Sequence, residues 1–356
     1  MKVLTVIGNR PQFIKAAAVS PRLREHHEEV LVHTGQHFDD ELSGVFFAEL
    51  GLPAPDRQLG IALGSNTSQT ARMLSALEPV VRETSPDVVL VYGDTNSTLA
   101  GAVAAAQAGV PVAHVEAGMR SFDRSMPEEL NRVLADHASS LLLCPSDVAI
   151  TNLRREGVAG AVELVGDVMV DVALATQPRA RLRTDVVEAL GLTPGEYALA
   201  TAHRAGNVDD PARLALLVDL LCAVPLPVVF ALHPRTRSRL GSAGLLDRLE
   251  LSEQIVLTPP LGYLELTALL CHARALLTDS GGLQKEAYLA GVPCVTLRRE
   301  TEWIETVEHG WNSLVDLDAG AAMRALEREP PRERPPLYGD GRAGERVVSA
   351  LTLHLG

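Results

Sequence analysis

The sequence predicts an α/β protein built from two doubly wound units, and three observations carry that prediction. Short apolar, β-branched runs alternate with longer amphipathic stretches from end to end. The runs are apolar throughout rather than alternating, as expected of parallel strands covered by helices on both faces. The pattern then restarts about half-way along, and 356 residues suffice for two domains of ordinary size.

In the first half, strands are expected at residues 3–7, 30–34, 88–92, 112–115, 141–144 and 162–165. Between them, residues 69–83 and 128–139 repeat apolar side chains at three- and four-residue steps, which is the helical period. Residues 98–108 form a small-residue helix suited to close packing on a sheet. Gly166-Asp167 marks the break, followed by a helical connector. The second set has strands at 197–201, 228–232, 254–257, 275–277 and 294–297, with helices at 211–223, 264–272 and 284–290. The proline-rich turn 330–336 closes this set, and a last helix follows over 341–355. Two Rossmann-like sheets with right-handed crossovers and a cleft between them are the expected architecture.

Composition narrows the function classes. With 46% hydrophobic and 22% charged residues, the chain can bury real cores. No apolar run reaches the roughly 18–20 residues needed to span a bilayer. The opening Met1-Lys2-Val3-Leu4-Thr5-Val6-Ile7-Gly8 reads as a first strand rather than a leader, so a cytoplasmic location is expected. Cys144, Cys222, Cys271 and Cys294 are dispersed and form no C-x-x-C pair, so reduced thiols without metal or disulfide are expected. A net charge of −13 argues against a nucleic-acid partner, which needs a basic face.

In doubly wound sheets, ligands bind at the carboxyl ends of the strands. The first strand ends in Gly8-Asn9-Arg10-Pro11-Gln12-Phe13-Ile14-Lys15, a glycine turn into a helix with two cations. Such a helix start suits a diphosphate, or it is a plain strand–helix turn with surface cations. Asp94 follows a fully apolar strand and serves either the site or the next helix as its cap. Glu116 also follows a buried strand, and glutamate is not a preferred cap. Glu128 opens a helix, where acidic residues also complement the helix dipole. Three carboxylates at neighbouring strand ends point to proton transfer on a bound substrate. In the second half, His203 and Arg204 follow a strand and suit a diphosphate or leaving group. Arg235 follows another strand, within reach of a nucleotide. Thr278-Asp279-Ser280-Gly281-Gly282 before a helix exposes backbone N–H groups to an anion, and Glu286 lies one turn on, placed to hold ribose hydroxyls.

These segments together resemble the non-hydrolysing UDP-N-acetylglucosamine 2-epimerases. The resemblance runs over essentially the whole chain. It covers Gly8-Asn9-Arg10-Pro11 with Lys15, Thr34-Gly35-Gln36-His37, Tyr92-Gly93-Asp94-Thr95 and His114-Val115-Glu116-Ala117-Gly118. It continues through Pro127-Glu128-Glu129 with Asn131-Arg132, His203-Arg204, the Thr278–Gly282 stretch and Glu300-Thr301-Glu302-Trp303. It implies a fold like that of two-domain nucleotide-sugar glycosyltransferases (GT-B-like), divided at 1–166 and 167–344, with residues 345–356 packing back on the first domain. It also implies UDP held at Ser280, Gly281, Gly282 and Glu286, with Arg10 and His203 near the diphosphate and the sugar facing Asp94, Glu116, Glu128 and Arg132. A homodimer without cofactor or metal is expected on the same ground.

The implied reaction needs little else. As the C1–O bond to UDP stretches, the ring gains oxocarbenium character and the C2 proton becomes acidic. A carboxylate removes it, leaving a 2-acetamidoglucal and UDP, and re-addition with a proton on the other face inverts C2. Arg10, Lys15, His203 and helix N-termini would stabilise the departing diphosphate, and closure of the cleft would keep water out.

The sequence also departs from the commoner family pattern. Gln12 replaces a glutamate, Gly206 stands where many members have another, and Phe38-Asp39-Asp40-Glu41 lacks the glutamine-rich stretch of members activated by a second substrate molecule. The Arg10–Lys15 and Glu302-Trp303 segments look more like the branch acting on UDP-2,3-diacetamido-glucuronate, for whose carboxylate Arg298 and Arg299 are candidate partners. A glycosyltransferase of the same fold, a hydrolysing epimerase and a non-catalytic nucleotide-sugar sensor are the competing readings.

Overall fold

The structure is a computed structural model that describes residues 1–36, 47 and 49–356. His37 and the 38–41 segment noted above lie outside the described residues. Contacts divide the chain into two compact units, Met1–Val172 with Tyr338–Gly356, and Ala173–Leu337. The first division falls inside the helix Val168–Arg181, and the chain returns to the first unit at Tyr338 rather than at 345.

The first unit is a seven-stranded sheet. Its strands are β1 (Lys2–Ile7), β2 (Glu28–His33), β3 (Arg57–Gln58), β4 (Val88–Tyr92), β5 (Val112–Val115), β6 (Leu141–Cys144) and β7 (Ala161–Leu164). They lie in the order β3-β2-β1-β4-β5-β6-β7, with every pairing parallel. Both faces are buried because helices cover both. Leu4, Val6, Val89 and Val91 pack against Met73 and Leu77 of Asn66–Thr84 and the alanines of Asn96–Gln107. Gly101 lets that second helix approach, since a Cβ there would lie 2.9 Å from a Val91 methyl. The helix Arg10–His26 packs against the C-terminal helix Ala343–Leu355. Asp171 caps the latter, accepting the Ala343 and Gly344 amides at 3.0 and 2.8 Å.

The second unit repeats the plan with β8 (Ala198–Thr201), β9 (Val228–Ala231), β10 (Ile255–Thr258), β11 (Ala275–Thr278), β12 (Cys294–Thr296) and β13 (Asn312–Leu314). Their order is β10-β9-β8-β11-β12-β13, again all parallel. One face packs on Leu214, Leu217 and Leu221, the other on Ala268, Leu269 and Ala287.

Each unit is therefore a doubly wound Rossmann-like sheet, as the alternation of apolar runs predicts. The edge strands β3 and β13 are additions: at two and three residues they are too short to show a period. Among the described residues no helix is long and apolar enough to cross a membrane, and Cys144, Cys222, Cys271 and Cys294 are free thiols. The order in which strands are added reverses between β1 and β4 in one sheet and between β8 and β11 in the other. Those switch points, at the carboxyl ends of the strands, are where ligands are expected.

Candidate functional site

In the first unit the switch point is stitched before it is charged. Asn9 caps the helix Arg10–His26 by accepting the Gln12 amide at 3.2 Å, and Pro11 sits in its first turn. The Gln12 side chain is buried. Its Oε1 accepts the Gly8 amide at 2.7 Å, and its Nε2 donates to the Tyr92 carbonyl at 2.8 Å and the Thr98 hydroxyl at 3.0 Å. Only a carboxamide offers both a donor and an acceptor here, so glutamine suits this position where an ionised glutamate would not. The ends of β1 and β4 are thereby tied together. Gly8 keeps the turn tight, because a Cβ would meet the Ser97 hydroxyl at 2.0 Å.

Lys15, further along the same helix, reaches across Gly93 to an ion pair with Glu116. Burial alone would lower the Lys15 pKa, but Glu116, Asp94 and Asp167 outweigh it and the pKa is raised. The ammonium thus stays charged among three carboxylates. Glu116 has a left-handed backbone (φ 68°), facing Gly93 at φ 63°. A non-glycine residue held there carries strain of the kind that gathers at functional sites.

Asp94 pairs with Arg132, and its carbonyl accepts Asn131 Nδ2 at 3.0 Å. Arg132 also contacts Glu129 at 3.2 Å. Glu129 is a buried structural acid that accepts the Ser121 amide, the Ser121 hydroxyl and the Phe122 amide. Burial would raise its pKa, but those donors and Arg132 pull it below the usual carboxylate range. Glu128 is exposed, one turn before Arg132 and on the same helix face. The structure therefore brings Asp94 and Glu116 together around Lys15, and places Glu128 on the helix face beside Asp94's partner.

The second unit reverses this arrangement. Asp279, fully buried, points inward from the end of β11. It accepts the amides of His203 and Arg204 and the Asn207 side chain, at 3.0–3.1 Å, with His203 Nδ1 3.4 Å away. The carboxylate so fixes the loop that carries His203 and Arg204. The His203 ring lies 5.7 Å from that of His233. Burial lowers its pKa, opposed by Asp279 and reinforced by Arg204 and Arg235. Arg235 is exposed and paired with Asp209, which also binds Arg239.

The helix Gly281–Ala290 starts at Ser280, whose hydroxyl makes no cap bond. The Gly281 carbonyl accepts the Trp303 indole N–H at 2.7 Å. A Cβ on Gly281 would crowd Glu302 at 3.3 Å, whereas one on Gly282 would meet nothing within 4 Å. That opening at a helix N-terminus fits an approaching anion. Glu286 is buried one turn on. Arg298 is bidentate with Glu302 at 2.9 and 3.0 Å, and Arg299 pairs with Asp316 at 2.9 Å. Both arginines read as carboxylate partners thus already hold carboxylates of this chain.

Sequence reasoning missed Gln12 as a clamp, Asp167 beside Lys15, and Asp279 as an anchor. It quoted His114 without a role. Asp279 was within reach, since a charged residue directly after an apolar strand needs partners. The others depend on which strands are neighbours.

Comparison with known proteins adds to this geometry. Residues 21–352 match the family model described as UDP-N-acetylglucosamine 2-epimerase. The chain is 47% identical over 364 residues to the UDP-2,3-diacetamido-2,3-dideoxy-D-glucuronate 2-epimerase of Pseudomonas aeruginosa, covering 99% of each. It is 41% identical over 362 residues to the UDP-N-acetylglucosamine 2-epimerase of Methanocaldococcus jannaschii, again covering 99% of each. Among solved structures it resembles the M. jannaschii UDP-GlcNAc 2-epimerase in complex with UDP-GlcNAc and UDP, with TM-score 0.89 and 40% identity over 99% of this chain and all of that one. It also resembles the Neisseria meningitidis UDP-GlcNAc 2-epimerase bound to UDP-GlcNAc, with TM-score 0.87 and 29% identity over 99% and 100% of the two chains.

Proposed function

We infer that this chain, which belongs to the UDP-N-acetylglucosamine 2-epimerase family, is an isomerase that inverts C2 of a UDP-linked N-acetylated amino sugar without hydrolysing it. The observation that carries the reading is the pair of carboxylates, Asp94 and Glu116, gathered around the half-buried Lys15 at the switch point of the first unit. Proton abstraction from C2 needs a carboxylate, and re-protonation on the other face needs an acid. Asp94, Glu116 and Glu128 supply these roles, with Arg132 orienting Asp94.

The nucleotide falls to the second unit. Ser280, Gly281 and Gly282 offer a helix start to the diphosphate, Glu286 takes the ribose hydroxyls, and His203, Arg204 and Arg235 add donors and positive charge. Arg10 and Lys15 supply further charge for the leaving group. Elimination then breaks the C1–O and C2–H bonds to give a 2-acetamidoglucal and UDP, and re-addition of UDP restores the sugar nucleotide inverted at C2.

UDP-N-acetylglucosamine is the substrate of the first reading. UDP-2,3-diacetamido-glucuronate is the second, favoured by the 47% identity to the P. aeruginosa enzyme and by the Glu302-Trp303 segment that locks Gly281. A homodimer belongs to the same reading, and the exposed Phe122, Leu130 and Leu134 offer apolar surface for it.

The test is incubation with UDP-N-acetylglucosamine in D₂O, followed by NMR of the sugar protons. UDP-N-acetylmannosamine deuterated at C2 is the expected product. Turnover of the diacetamido-glucuronate alone would select the second reading, and free N-acetylmannosamine with UDP would replace both by a hydrolase.

A further inference from the structure

Beneath the two carboxylates lies a buried charged network that the reaction as described does not use. His114 is the third residue of β5, two before Glu116, and is fully buried. Its Nε2 lies 2.6 Å from the Gly93 carbonyl and its Nδ1 2.7 Å from Asp136 Oδ1. A carbonyl oxygen only accepts. Asp136 is ionised: burial would raise its pKa, but His114 and Arg120 hold it below the usual carboxylate range. Both ring nitrogens therefore face acceptors, and the arrangement is satisfied only when both donate, that is, as imidazolium.

The network reaches both carboxylate-bearing loops. Gly93 is gripped on two sides by β5, its amide donating to the Val115 carbonyl at 2.9 Å and its own carbonyl accepting from His114. The next residue is Asp94. On the other side Asp136 Oδ2 accepts the Gly118 amide at 3.1 Å and an Arg120 N–H at 2.8 Å, closing the loop that leaves Glu116. Arg120 in turn is bidentate with Glu156 at 2.6 and 2.7 Å. One ring thus spans the backbone before Asp94 and, through Asp136, the backbone after Glu116.

We propose that His114, as an imidazolium held by Asp136, is a positioning residue that sets the Gly93–Asp94 peptide and the Glu116 loop in one register, keeping the two carboxylates aligned for proton transfer at C2. This rests on the epimerase reading above. His114 does not touch substrate and acts through Gly93 and Gly118. Misplacing a reacting group by about 1 Å costs on the order of 100-fold in rate, and that is the effect expected here.

The experiment measures C2 exchange in D₂O, with whichever of the two nucleotide sugars the wild-type protein turns over, for wild type, His114→Gln and the double variant His114→Gln/Asp136→Asn. Glutamine offers one donating and one accepting arm where two acceptors wait. The single variant is expected to lose about 100-fold in kcat with KM within about threefold. The carboxamide introduced by Asp136→Asn supplies an N–H for the idle accepting arm, so the double variant should recover about tenfold. A merely structural role would instead show as lost stability in urea denaturation without the split between kcat and KM. In parallel, ¹⁵N NMR of wild-type histidines should show one ring carrying protons on both nitrogens, its signal absent in His114→Gln. Near-wild-type kcat in His114→Gln, a double variant slower than the single, or a singly protonated His114 each overturns the proposal while leaving the epimerase reading standing. A wild-type protein that exchanges C2 of neither sugar overturns that reading and the proposal's premise with it.

Discussion

The two sheets share one strand order apart from the extra β7 of the first, yet their switch points carry opposite arrangements. In the first unit the carboxylates face outward and cations come to them: Lys15 to Glu116 and Arg132 to Asp94. In the second the carboxylate faces inward. Asp279 is spent on the backbone of His203 and Arg204, so that their side chains and the helix start at Ser280 make up the exposed end. A doubly wound sheet supplies a place, not a chemistry. Outward acids suit proton transfer, and outward donors suit a diphosphate.

Breaking each arrangement separately should have different consequences. The largest effect is expected from Asp94→Asn and Glu116→Gln, each lowering kcat by about 10²–10⁴-fold while UDP affinity stays within about threefold. Isothermal titration with UDP beside the exchange assay would check the split, and unchanged rates in both variants would remove the carboxylates from the mechanism. Next comes Asp279→Ala, which orphans two backbone amides and removes one of the Asn207 side chain's partners. Here UDP affinity should fall by about tenfold or more. Affinity within about twofold of wild type would show that the inward carboxylate does not shape the nucleotide end.

A third substitution sharpens the comparison by leaving both switch points untouched. Gly344→Ala should improve helix propensity by up to about 1 kcal/mol, but its Cβ would fall 2.2 Å from the Ala18 carbonyl. A backbone clash has no cheap escape. The net loss is expected at about 1–3 kcal/mol by urea denaturation, with kcat unchanged. A gain in stability would mean that the two helices can separate freely.

The smallest effect is on pH dependence. Asp136 and Glu129 have folded pKa values below their unfolded ones, so their stabilisation is present above the unfolded value and lost as pH falls through the folded value. Asp171 has the opposite sign. Burial raises its pKa against the helix amides it caps, so its contribution is fully present below the unfolded value and fades as pH rises through the folded one. Urea midpoints of Asp171→Asn and wild type, compared from about pH 3 to about pH 7, should diverge slightly over that window.

Local pattern by itself determined much of this molecule. The apolar runs that became β1, β4, β5 and β6 are buried along their full length or nearly so, and burial on both faces leaves no polar alternation to misread. The strand-end positions of Asp94, Glu116, His203 and Ser280 follow from those runs, because a chain leaving a parallel strand must do so at the sheet's carboxyl edge. Tertiary structure decided what those residues meet. Lys15 and Glu116 are 101 positions apart, Gln12 and Tyr92 are 80 apart, and Asp279 and His203 are 76 apart. No periodicity reports such pairings, since they depend on which strands become neighbours. The same holds for Glu128 and Glu129, adjacent in sequence, of which one is exposed and the other buried under three donors. A helix turns about 100° per residue, so neighbours in the chain face different surroundings, and only packing shows which surroundings those are.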